Sequence, residues 1–79
     1  MARRYRTNTN ELRKVMIDNK VNTITELSEK TGINRNTLSK ILRGVIQPSS
    51  DAMDRLVFVL NIEPENAGKI FFTHNLRNA

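Results

Sequence analysis

Arg35, Asn36, Ser39, Lys40 and Arg43 all carry hydrogen-bond donors and fall within one short stretch, RNTLSKILR. At helical spacing they lie on one side, while Leu38, Ile41 and Leu42 repeat at i, i+3 and i+4 on the other. Arg and Lys suit the O6 and N7 acceptors of guanine, and Asn can pair bidentately with adenine. A helix anchored from behind by apolar residues, with long donors in front, is what reading a major groove requires. No rival constellation stands out. His74 is the only His, and there is no Cys, so neither a metal set nor a disulfide framework is visible. Ser28, Ser39, Ser49 and Ser50 lack a His in a plausible geometry for a nucleophile. Three scattered Gly do not make a phosphate loop. Asp51 and Asp54 are one helical turn apart, but a helix N-terminal dipole explains acidic residues there. These absences argue against catalysis, and no cofactor or small-molecule ligand is expected.

The donor-bearing helix, expected over about 35–43, is preceded by elements that would position it. Thr23 with Glu26 is a capping box, opening a helix expected over about 24–31. Ile24, Leu27 and Ser28 share one face of that helix. Gly32 follows where a left-handed residue would end it, and Asn34 is a good N-cap for the next. Ile24 has two readings: part of the core, which is favoured, or a contact to a thymine methyl or sugar. Upstream, Asn8 and Glu11 form a box-like pair ahead of a first helix from about Thr9 to Lys20. Leu12, Val15 and Met16 form its buried stripe, and Ile17 stands slightly off it, towards the last helix. Arg13 and Lys14 read as a solvated face. Downstream, Pro48 bars a helix. Ser49 or Ser50 then caps a fourth helix running to about Leu60, with Met53, Leu56, Val57 and Leu60 as its core stripe. Asn61 would stop it, and Pro64 opens a fifth that carries Ala67, Ile70 and Phe71. The expected fold is all-α, a compact bundle of five short helices over 8–73. It lies between a flexible basic arm, 1–7, and a polar tail, 74–79.

The stretch TITELSEKTGINRNTLSKILRG resembles the helix-turn-helix of the lambda-repressor/Cro-like (XRE-type) transcriptional regulators. ELSEKTGI matches helix and turn, RNTLSKILRG the recognition helix, and Gln47–Ser49 the exit loop into the fourth helix. The resemblance spans roughly residues 9 to 62. Two positions depart from it: the family often has Gln where Ile24 stands, and Ala where Ser28 stands. The resemblance implies a sequence-specific regulator of double-stranded DNA, most like a phage Cro-type or lysogeny-switch repressor on a pseudo-palindromic operator. It places Arg35, Asn36, Ser39 and Lys40 at the base-facing positions. Without a second domain to bind an inducer, regulation would rest on protein concentration and operator affinity. The alternative is an antitoxin-like or regulatory module that uses the same fold to bind a protein.

Charge is distributed to match. Net charge is +5, yet residues 1–43 hold ten Lys/Arg against four Asp/Glu, and residues 44–79 hold three against four. The basic half contains the helix-turn-helix, which suits a polyanion, nucleic acid first and membrane surface second; a solubilising surface is the plainer reading. Thr23, Asn34, Thr37, Arg43 and Gln47 are candidates for phosphate contacts, with capping alone as the plain reading of Thr23 and Asn34. Arg3, Arg4 and Arg6 form a run too short to fold yet dense enough to follow phosphates. Phe58, Val59 and Phe72 fall outside the core stripes and are candidates for a homodimer interface; otherwise Phe72 closes the base of the core beside Phe71. No apolar run is long enough to span a membrane, and a cytoplasmic protein of a prokaryotic cell or phage-infected host is expected.

Overall fold

Four helix starts are set by side chains that accept a backbone N–H. Asn8, Thr23, Asn34 and Ser49 accept from Glu11, Glu26, Asn36 and Ala52 respectively. The fifth start has Glu63 at the cap position without a side-chain bond, and Pro64 removes one donor that would otherwise need a partner. The computed structural model describes residues 5–74. In chain order these comprise β1 (Tyr5–Arg6), α1 (Thr9–Asp18), α2 (Ile24–Thr31), α3 (Arg35–Leu42), α4 (Ser50–Val59), α5 (Pro64–Phe71) and β2 (Thr73–His74). No described helix is long and apolar enough to cross a membrane.

The helices end where a residue tolerates the left-handed region or accepts a terminal turn. Gly32 ends α2 with φ 76°, its N–H donating to the Ser28 carbonyl. Asn61, just past α4, has φ 51°. Lys20 also turns left-handed, at φ 60°, so α1 stops at Asp18 rather than at Lys20. Asn19 completes that corner: its amide donates to the Val15 and Leu60 carbonyls, at 2.9 and 2.8 Å. The ends of α1 and α4 are thereby tied together.

One core joins the five helices. Leu12 and Met16 of α1, Leu27 of α2, Leu38, Ile41 and Leu42 of α3, Leu56 of α4, and Ile70 and Phe71 of α5 are buried in it. Val21, Leu60 and Ile62, from the connections, fill the gaps between them. Ile24 is half-buried against the same cluster, as its core reading requires. Ile17 is instead 65% exposed, so most of its side chain faces solvent rather than packing on α5. It lies one position past the Leu12–Met16 stripe, which turns it to solvent.

The bundle is all-α apart from one feature. Tyr5 pairs with His74 and Arg6 with Thr73 in a two-residue antiparallel ribbon. The expected flexible arm is therefore corrected for residues 5–7, because Tyr5 and Arg6 are in β1 and Thr7 is buried. The polar tail is likewise corrected at His74, which is in β2. Arg3 and Arg4 lie outside the described residues.

Two glycines should respond with opposite signs to the same substitution. A Cβ at Gly32 would meet Arg55 Nη1 at 3.0 Å on a left-handed backbone, whereas a Cβ at Gly68, inside α5, meets nothing within 4 Å. Gly32→Ala should destabilise by about 1–3 kcal/mol. Gly68→Ala should stabilise by roughly 0.5–1 kcal/mol. Urea unfolding of the two variants measures both.

Candidate nucleic-acid interface

The turn between α2 and α3 is held by its own polar groups. Ser28 Oγ donates to the Ile33 carbonyl at 2.6 Å, and the Ile33 N–H donates to Thr31 Oγ1 at 3.1 Å. Ser28, where an Ala is usual, thus contributes a bond across the turn. Thr31 Oγ1 donates in turn to the Leu27 carbonyl. Ile33 is half-buried against the core and pins the turn from inside. This fixes the angle at which α3 leaves α2.

Two arginines outside the motif brace it. Arg13 of α1 donates through Nη2 to the Leu42 carbonyl, the last of α3, at 3.0 Å. Arg55 of α4 donates through Nη1 to the Thr31 carbonyl, the last of α2, at 3.0 Å. Terminal carbonyls of a helix have no intrahelical partner, and a cation there also complements the helix dipole. Arg55 is aimed by Asp51, one turn earlier, at 2.9 Å. Arg13 is therefore a brace as well as part of a polar face, and both arginines act over distances in sequence that no local pattern reveals.

With its rear fixed, α3 presents its outer side. Arg35, Asn36 and Lys40 are exposed, and Ser39 and Thr37 half-buried. No carboxylate lies on α3, and the single ion pair among the described residues, Arg55–Asp51, is elsewhere. Arg35 and Lys40 thus keep their donors free of acidic partners. The Asn36 backbone N–H goes to the Asn34 cap, but its side chain is not used in that bond.

The five candidate phosphate contacts divide. Asn34 caps α3 through Oδ1, leaving its Nδ2 donors outside that bond. Arg43 rests Nε on the Ser39 carbonyl at 3.4 Å, which leaves the guanidinium tip outside that bond. Thr37 is half-buried on α3. Thr23 Oγ1 accepts from the Glu26 N–H and donates to Glu26 Oε1, which also accepts the Asn22 N–H. Its one hydroxyl proton goes to Glu26 within the capping box, in keeping with the plain capping reading. Gln47 is drawn towards the protein: its Oε1 accepts from Thr7 Oγ1 at 2.8 Å and its Nε2 donates to the Phe71 carbonyl. These two bonds leave one of the two Nε2 hydrogens outside them.

The candidate dimer residues divide as well. Phe58 is 84% exposed. Val59 is half-buried against the core, so it is corrected to packing. Phe72 is 50% exposed and meets the Tyr5 ring edge-on, with centroids 5.8 Å apart. Val45, in the exit loop, is exposed too, which its place beside Gly44 had not signalled.

This arrangement is a helix-turn-helix with a braced second helix and unpaired cations in front. A family model for the Cro/C1-type HTH DNA-binding domain matches residues 11–67, more than half of the chain. The chain belongs to the Cro/C1-type helix-turn-helix family. No curated protein and no solved structure matches it. The family domain is a DNA-binding one of the regulatory kind, and its partner is double-stranded DNA.

Arg13→Met keeps the aliphatic stem and removes the donor to Leu42. It should lower unfolding free energy by about 1–3 kcal/mol, as for other bonds to a charged group. It should also speed amide exchange at the end of α3 before that of α1. Exchange measured by NMR on both helices checks the order.

Proposed function

We propose that this Cro/C1-type domain is a sequence-specific repressor that reads an operator through the outer side of α3. The observation that carries this reading is the set of exposed donors on α3, Arg35, Asn36 and Lys40, with no carboxylate beside them on that helix. Arg35 and Lys40 have the length and charge to donate to guanine O6 and N7. Asn36 has the paired donor and acceptor that adenine N6 and N7 require. Ser39, half-buried between them, can donate or accept at either base. Asn34 and Arg43 flank α3 with spare donors and suit the phosphates at the two ends of the helix. Thr37 lies one turn along from Asn34 on the same element. Repression by occupancy is the simplest regulatory consequence, since a bound domain excludes other proteins from the same duplex.

One recognition helix contacts too few base pairs to select a site from a genome. Two domains on half-sites one helical turn apart, about 34 Å, would read a pseudo-palindrome. Phe58 supports this part of the reading, because it leaves a large apolar ring 84% exposed that a second domain would cover. Its neighbour Val59 belongs to the core, which centres the proposed contact on Phe58 and the half-exposed Phe72.

Base-reading and phosphate-holding residues separate in one experiment. Arg35→Ala and Asn36→Ala should each cost about 1–3 kcal/mol at the selected site and relax one base position. Arg43→Ala should weaken all duplexes alike and reduce the salt slope by about one unit. Selection from random duplex DNA, followed by titration at several salt concentrations, measures both; unchanged affinity and preference in Arg35→Ala and Asn36→Ala would overturn base reading by α3.

The dimer makes a separate prediction. Phe58→Lys should keep the fold, seen by circular dichroism, and lose cooperative binding to the palindrome while retaining half-site affinity. Cooperativity equal to that of the native chain would place the contact elsewhere.

A further inference from the structure

Gln47 occupies the exit loop of α3, yet its side chain bonds to neither α3 nor α4. Its Oε1 accepts from Thr7 Oγ1, forty positions earlier, and its Nε2 donates to the carbonyl of Phe71, the last residue of α5. Thr7 is 3% exposed, so its hydroxyl has little access to water and depends on that acceptor. Asn8 adds a backbone bond from its N–H to the Ile70 carbonyl at 2.6 Å. The residue before this junction is Arg6, and the residue after Phe71 is Phe72. Each leads directly into the ribbon, where Arg6 opposes Thr73 and Tyr5 opposes His74. Nearby, the Thr9 methyl lies 3.9 Å from where a Cβ on Gly44 would stand, so the start of α1 sits against the end of α3. A single amide therefore gathers the exit loop, the root of the N-terminal segment and the end of α5.

Arg6 is exposed and has no ion pair among the described residues. Its chain neighbour Thr7 is bonded to Gln47, four positions past Arg43, the C-cap of α3. We propose that Gln47 is a positioning residue: it locks the β1–β2 ribbon onto the exit loop, so that Arg6 is presented to a phosphate beside those met by the end of α3. The amide is chemically specific for this task. It offers one acceptor to the Thr7 hydroxyl and one donor to the Phe71 carbonyl; a carboxylate would set oxygen against oxygen at Phe71, and an apolar side chain would leave both partners unmet. The inference rests on the duplex-binding reading above and adds a role for a residue whose side chain is drawn towards the protein.

The chain contains one Tyr and one His, and their rings are 5.2 Å apart, edge-on, in the ribbon. Their NMR signals therefore report ribbon docking without labels or DNA. Three variants of the full chain form the test: Gln47→Met, Arg6→Ala and the double variant. In Gln47→Met, the Tyr5 and His74 ring signals should move towards free-peptide positions and Asn8 amide exchange should quicken, while α2 and α3 signals stay in place. On duplex DNA, Gln47→Met and Arg6→Ala should each lower the salt slope by about one unit, the loss of one phosphate contact. The double variant should fall no further than either alone. A purely structural role for Gln47 would instead give additive losses, and additivity overturns the proposal. So does unchanged docking of the ribbon in Gln47→Met, whatever the duplex result. Should Gln47→Met unfold, Thr7→Val, which removes only the hydroxyl from the same bond, takes its place under the same criteria. Absence of salt-dependent duplex binding by the native chain would overturn the function reading itself, and the Arg6 role with it, even if the ribbon signals move as expected.

Discussion

An eight-residue helix has no stability of its own in water, because nucleation is costly and so few turns cannot recover it. Everything else in this domain follows from the need to hold α3 still while leaving its outer side bare. Apolar contact does the larger part: Leu38, Ile41 and Leu42 insert into the common core from one side of the helix. That contact resists withdrawal of the helix but leaves rotation and fraying open. Polar groups close those freedoms. Asn34 fixes the N-terminal turn, Arg13 takes the last carbonyl, and Ser28 sets the turn that delivers the helix from α2. The outer donors are then spared any structural duty, which is why Arg35 and Lys40 stand without acidic partners on a domain that has carboxylates elsewhere.

What could be read from the sequence was what is local. The caps at Asn8, Thr23, Asn34 and Ser49, the left-handed Gly32 and the helical stop at Asn61 each need only a few neighbouring residues, and all are in place. The apolar stripes were legible for the same reason, since periodicity is a local property. Ile17 shows the limit: one residue off a stripe is enough to turn a side chain to solvent, and spacing alone did not decide which way. The candidate base-reading positions came from resemblance together with a chemical argument about donors. What was hidden is what acts at long range. Arg13 reaches Leu42 across 29 positions, Arg55 reaches Thr31 across 24, and Gln47 reaches Thr7 across 40. No pattern in the chain marks these pairs, because their spacing is set by the folded bundle.

The ribbon illustrates a second reason. Tyr5, Arg6, Thr73 and His74 do not form two recognisable strands by composition, and neither two-residue segment would hold without the other. Their pairing is a consequence of the helices, which bring the start of α1 and the end of α5 together through the Asn8–Ile70 bond. A terminus that reads as a solvated arm becomes, from Tyr5 onward, part of the folded unit.

Charge counting needs the same correction. The surplus of positive charge in residues 1–43 is real, but its members do not act alike. Arg13 neutralises the negative end of a helix, and Arg55, in the balanced half, does likewise. Both are partly consumed by the fold, and their contribution to an external field is correspondingly reduced. Arg35 and Lys40 differ because α3 carries no acid and no backbone carbonyl takes up their charged ends, and Arg43 keeps its guanidinium tip outside its one bond to Ser39. Net charge reports the sum of these two populations, whereas attraction to a polyanion depends on the second and on how it is placed. The bracing arginines serve the outward ones in two ways: they fix the geometry, and they satisfy carbonyls at the ends of α3 and α2 that have no intrahelical partner.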